Sequence, residues 1–76
     1  MKYNYYEYED AYIKSNIERC KEIALALLPK INREETNLLL EQIKDLEWNW
    51  NYPEEEKRRI LDIFSKIKIW LMVYNC

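Results

Sequence analysis

The sequence predicts an all-α fold: a small antiparallel three-helix bundle with a tyrosine-rich N-terminal arm or helix extension. Apolar residues recur at helical spacing in three stretches. Glycine is absent, so tight hairpin turns that need positive φ have no easy residue to use. The only two prolines, Pro29 and Pro53, fall between the apolar stretches. Seventy-six residues make one domain, close to the lower limit for a single core without staples. Apolar residues are 49% of the chain, enough to offset the entropy of ordering it.

Three helices are expected, over roughly residues 5–28, 33–50 and 53–74. The first has two possible starts, because Asn4 and Glu7 have capping-box spacing and Ser15 and Glu18 repeat it. Its expected buried face is Ile13, Ile17, Cys20, Ala24 and Leu27, flanked by Ile23 and Leu28, and Pro29 is expected to end it. Asn16 falls on the inward side of this helix, either fixing register or sitting near its edge. The segment from Tyr3 to Tyr12, rich in tyrosine and acid, extends helix 1 or forms a loose arm.

Helix 2 is expected to start with Asn32 capping the free amides and Glu35 reaching back, with a core stripe of Leu39, Ile43, Leu46 and Trp50. Helix 3 begins at Pro53, which suits the first helical position, and carries Glu54, Glu55 and Glu56 in its first turn. Its stripe is Ile60, Ile63, Phe64, Ile67, Trp70, Leu71 and Tyr74. The connections at 29–31 and 51–52 are short, which favours antiparallel neighbours.

Several function classes are disfavoured. The chain has no histidine, the commonest proton-transfer group near neutral pH and the commonest metal ligand. Neither Cys20 nor Cys76 has a partner at metal-ligand spacing. Without glycine there is no phosphate-cradling loop. No catalytic, cofactor-binding or metal residues are therefore expected. No apolar leader precedes the cysteines, which points to a reducing cytosol with both thiols free. The apolar stretch Ile69 to Tyr74, which none exceeds in length, is far short of the roughly 20 residues a membrane span needs.

Two surface signals remain. Residues 34–56 hold eight acidic side chains against Lys44 alone, a net of minus seven; residues 57–76 hold Lys57, Arg58, Arg59, Lys66 and Lys68 against Asp62, a net of plus four. The plain explanation is solvated helix faces with local pairs such as Glu54 with Lys57 and Glu55 with Arg58 or Arg59. The functional one is an acidic surface that meets a basic partner and occupies a site meant for nucleic acid. The second signal is apolar side chains off the core stripes. Leu61, Ile69 and Met72 form a second stripe on helix 3, either covered by the N-terminal arm or left as a self-association or partner-binding surface. Leu38 and Trp48 lie off the helix 2 stripe, and Trp48, Trp50 and Tyr52 fall within five residues. Either Trp50 is core with Trp48 and Tyr52 folded over the bundle end, or a ring is exposed as an interface anchor.

These features lead to the expectation of a non-catalytic, acidic, cytoplasmic protein-binding module that inhibits or modulates by occlusion. Leu38, Glu41, Asp45, Trp48, Tyr52, Glu54 and Glu55 are its expected contacts with a protein of basic surface. Leu61, Ile69 and Met72 are the expected contacts of a homodimer. The competing expectation is a small nucleic-acid-associated regulator in which Lys57, Arg58, Arg59, Lys66 and Lys68 touch phosphates; the net charge of minus two weighs against it. Small acidic helical proteins without catalytic residues are a format shared by inhibitors, immunity proteins and phage anti-defence factors. The heavy use of Ile, Lys, Asn, Tyr and Glu suits the AT-rich genomes of many bacteria and their phages. Format alone does not fix function.

Overall fold

A computed structural model describes residues 3–74. The described residues form four α-helices and no strand: α1 (Tyr5–Ile13), α2 (Ile17–Ile31), α3 (Glu34–Ile43) and α4 (Glu54–Tyr74). Every pair of helices except α1 with α3 is in contact. The expected three-helix bundle is thus corrected to four helices, because the first predicted helix is two.

The break falls at residues 14–16. Ser15 takes the left-handed conformation (φ 57°), its N–H donates to the Tyr12 carbonyl at 3.0 Å, and the Asn16 N–H donates to the Ala11 carbonyl at 2.8 Å. That pair of bonds is the Schellman closure, usually built on glycine. Asn16 then starts α2, its side-chain oxygen accepting from the Arg19 N–H at 3.2 Å. Asn4 does the same for α1, accepting from the Glu7 N–H at 3.0 Å. Both starts foreseen for helix 1 are therefore used, one per helix, with the second cap at Asn16 rather than Ser15. Asn16 is an exposed cap and has no inward role. Ile13, expected in the core, is 74% exposed, because the break ends the stripe it belonged to.

The tyrosine-rich segment is helical from Tyr5 and buries Tyr5, Tyr8 and Ala11. Tyr8 is fully buried, and its hydroxyl donates to the Phe64 carbonyl of α4 at 2.6 Å. At the seam with α2, the Tyr3 hydroxyl donates to Glu22 at 2.8 Å, and Arg19 pairs with Glu22 at 2.7 Å while its guanidinium lies over the Tyr3 ring.

Pro29 does not end α2, which runs one residue pair further to Ile31. The missing N–H would have paired with the carbonyl of Leu25, and both residues lie on the exposed side of the helix, where water can serve that carbonyl. Asn32, at φ 50°, closes α2 instead of capping the next helix. The α3 cap shifts by one residue: the Thr36 hydroxyl, fully buried, accepts from the Arg33 N–H and donates to the Arg33 carbonyl, both at 2.9 Å. Glu35 takes no part in this cap.

α3 stops at Ile43, well before the expected end at residue 50. Leu46 is half-buried rather than core, and its carbonyl accepts from the Lys21 ammonium at 2.8 Å. Asn49 accepts the Asn51 N–H on its side chain at 2.8 Å, and its carbonyl accepts the Tyr52 N–H at 3.1 Å, which turns the chain back toward Pro53. α4 follows the prediction closely. Ile60, Ile63, Phe64, Ile67 and Leu71 are buried, while Trp70 is half-buried and Tyr74 exposed at the helix end. The core gathers these with Ile17, Cys20, Ile23, Ala24, Leu27 and Leu28 of α2, Leu39 and Ile43 of α3, and the buried face of α1. Cys20 is a free, buried thiol; Cys76 lies outside the described residues.

Candidate functional site

The segment 44–53 joins α3 to α4 and carries three aromatic rings. Its low helix propensity, from two asparagines interleaved with Trp48, Trp50 and Tyr52, favours a turn over a continued helix. Trp48 is half-buried and packs on the core. Trp50 meets it edge-on, with ring centroids 5.1 Å apart and an 86° interplanar angle, and Tyr52 meets it at 6.5 Å and 77°. The Tyr52 hydroxyl donates to the Glu47 carbonyl at 3.2 Å. Trp50 is 62% exposed. The expected assignment is thus reversed: Trp50 leaves the core and Trp48 enters its margin, since the helix that would have pointed Trp50 inward has ended.

Trp48 forms a wall of two clefts. One, of about 350 Å³, lies against the start of α2 and is lined by Ile17, Glu18, Lys21, Leu46 and Glu47. The other, of about 240 Å³, lies against the first turns of α4 and is lined by Trp50, Glu54, Lys57, Arg58, Leu61 and Ser15. The Trp48 indole N–H is buried and has no hydrogen-bond acceptor among the described residues.

The expected partner contacts divide between two places. Trp48 and Glu54 line the cleft on α4, and Tyr52 packs on Trp48. Leu38, 58% exposed, lies instead in a separate groove between α3 and α4 beside Lys66 and Trp70. Glu41 is exposed and pairs with Lys44 at 3.4 Å. Asp45 and Glu55 are exposed, and neither makes an ion pair among the described residues. Of the stripe assigned to self-association, Leu61 lines the α4 cleft, while Ile69 and Met72 stay exposed further along the helix. Sequence reasoning missed Trp50, Lys57, Arg58 and Ser15 as protein-contact residues of this cleft. Arg58 carried a signal in the basic run after the acidic triad, and Trp50 one in the aromatic cluster with Trp48 and Tyr52.

Most of the basic run is neutralised locally. Lys57 pairs with Glu54 at 3.1 Å, Arg59 with Glu56, and Lys66 with Asp62 at 3.3 Å, while Lys68 lies over the Tyr12 ring. The expected pairing of Glu55 with Arg58 or Arg59 is not formed. Arg58 makes no hydrogen bond, ion pair or ring contact among the described residues.

Perturbed titrations lie away from both clefts. Burial pushes the Cys20 thiol up to about 12 and also raises the Tyr8 phenol, while the Tyr3 hydroxyl, donating to Glu22, holds that carboxylate below its ordinary range. Among the described residues no three His, Cys, Asp or Glu side chains come together as a metal-holding group, and no helix is long and apolar enough to cross a membrane. What the clefts offer a ligand is aromatic faces, a guanidinium and carboxylates, the means of recognition. Compared with known proteins, the chain matches no family model, no curated protein and no solved structure.

Proposed function

We propose that this chain is a non-catalytic, cytoplasmic protein-binding module that inhibits or modulates its partner by occlusion, with segment 44–53 as the principal contact. The observation that carries the reading is the Trp50 indole, held out at 62% exposure by edge-on packing against a half-buried Trp48. A large ring left in water on a rigid support is the kind of side chain that dominates interface energetics. Asp45, Glu47 and Glu55 flank it on the same segment and helix start without ion-pair partners among the described residues, so the surface favours a partner with a basic rim.

The test is affinity capture with the tagged protein, scored for protein and nucleic acid together, followed by titration of the captured partner. Trp50→Ala keeps the fold and weakens binding by more than about 1 kcal/mol. Equal affinity for variant and parent would remove Trp50 from the contact. Trp48→Ala is the poorer probe, because Trp48 also packs on the core.

The nucleic-acid alternative has less behind it. Three of its five cations are held in ion pairs and Lys68 lies over Tyr12, which leaves Arg58 as the one of the five without a partner. Its mark would be nucleic-acid binding that falls steeply with salt. Ile69 and Met72, joined by exposed Val73, leave an apolar strip on α4 that a second copy would cover. A monomer at every concentration in sedimentation velocity would remove the dimer.

A further inference from the structure

The smaller cleft has a chemistry of its own. Its walls are the Trp48 and Trp50 rings and Leu61, and its rim carries Arg58, Lys57 and Glu54. Glu54 is already held by Lys57 at 3.1 Å, so that pair presents little net charge. Arg58 has no partner among the described residues, and the Lys57 ammonium stands beside it on the rim. Donors therefore outnumber acceptors around an apolar floor. At about 240 Å³ the cleft is smaller than the roughly 300–1,000 Å³ of pockets that hold a drug-sized ligand, and is on the scale of a single side chain.

We propose that this cleft binds a short peptide segment presenting a carboxylate beside an aromatic or large apolar side chain, the ring seated between Trp48, Trp50 and Leu61 and the carboxylate on Arg58. The proposal deepens the reading of segment 44–53 as a protein contact and rests on it. A guanidinium suits a carboxylate because its planar fork matches the two oxygens in a bidentate pair. An aromatic side chain gains both apolar burial and edge-to-face contact with the two perpendicular indoles. The surroundings limit the ligand's charge. Glu54, Glu55 and Glu56 open α4 just before Lys57 and Arg58, with Lys57 and Arg59 already paired to Glu54 and Glu56, and Glu47 stands on the other side of Trp48, so a chain of phosphates would meet like charge beyond Arg58. One negative charge, flanked by neutral or basic groups, fits this field, and it also suits the basic-rimmed partner argued for above.

The experiment titrates acetyl-Ala-Phe-Asp-Ala-amide into the intact ¹⁵N-labelled protein and follows the three indole N–H signals. Trp48 and Trp50 are expected to shift saturably while Trp70, which lies in the groove with Leu38, stays in place. The Asn counterpart of the peptide is expected to bind about fivefold more weakly, as for a partly exposed charge pair. Arg58→Gln is expected to lose a similar factor for the Asp peptide and nothing for the Asn peptide, which isolates the pair. The proposal is overturned if neither Trp48 nor Trp50 shifts at about 5 mM peptide, a concentration that would reveal even millimolar binding. Equal affinity for the Asp and Asn peptides also overturns it, as does adenosine monophosphate binding more tightly than the peptide through Arg58, which would mark a nucleotide site. If the peptide fails while Trp50→Ala still weakens partner binding, the carboxylate is excluded and the docking surface stands.

Discussion

Replacing Tyr8 is the sharpest test of how the N-terminal helix is held. Its side chain is fully buried, and its hydroxyl donates to the Phe64 carbonyl at 2.6 Å, joining α1 to the middle of α4. Tyr8→Phe removes the hydroxyl and keeps the ring. Phe64 sits inside α4, so its carbonyl retains the intrahelical bond from four residues ahead and is not orphaned. The loss is then that of one ordinary buried hydrogen bond, about 1 kcal/mol. Tyr8→Ala also removes the ring, and large aromatic truncations in cores cost about 3–5 kcal/mol, so the total reaches about 4–6. At roughly 0.05–0.15 kcal/mol per residue, a chain of 76 residues holds about 4–11 kcal/mol in all, so the alanine variant loses from about a third of its stability to all of it. Urea titrations followed by far-ultraviolet circular dichroism measure both. The phenylalanine variant lowers the midpoint by about 0.5–1 M with an unchanged slope. If the alanine variant loses less than about 1 kcal/mol, α1 is not docked as described and the argument fails.

Other expectations follow from single residues. Ser15→Gly relieves the left-handed strain at φ 57° and raises stability by up to about 1 kcal/mol, read from the same urea curves; a loss of stability would show that the serine is not strained. In a Cys76→Ser background, Cys20 stays unreactive toward Ellman's reagent at pH 8 and reacts on unfolding, because burial holds its pKa at about 12 and leaves little thiolate; prompt native-state labelling contradicts this. Glu22 titrates below its usual 4.5, so its contacts with Tyr3 and Arg19 are intact above the ordinary carboxylate range and are lost as pH falls through the lowered folded value. Carboxyl NMR shifts measure that midpoint, and Tyr3→Phe should move it upward; an unchanged midpoint dissociates Tyr3 from Glu22.

Much of the architecture was readable where burial and period coincide. The α4 stripe from Ile60 to Leu71 and the α2 stripe from Ile17 to Leu28 lie where a 3.6-residue repeat puts them. The departures gather at the ends of elements. Proline is the residue expected to end a helix in this glycine-free chain, yet Ser15 and Asn32 take the left-handed positions and Pro29 lies inside α2 near its end. The helical period through Leu46 and Trp50 runs across a stretch in which the Asn49 side chain bonds to the backbone two residues on. The same stretch holds the candidate site. Placing Trp50 on the core stripe leaves Trp48 and Tyr52 as the surface rings, and only the alternative of an exposed anchor ring agrees with the 62% exposure of Trp50. The position of Leu38 across the α3–α4 groove depends on tertiary packing that no local pattern encodes.

The absence of glycine reaches beyond the turns. Glycine is the residue whose backbone explores most before folding, and this chain has none to confine. Its disordered ensemble is narrower from the outset, and the entropy surrendered on collapse is smaller by that much. A protein this short gains from such economy twice. Its modest interior has less disorder to overcome, and the joints at Ser15 and Asn32 resist the hinge-like bending that glycine joints permit, so the surface these joints support is presented in a fixed attitude.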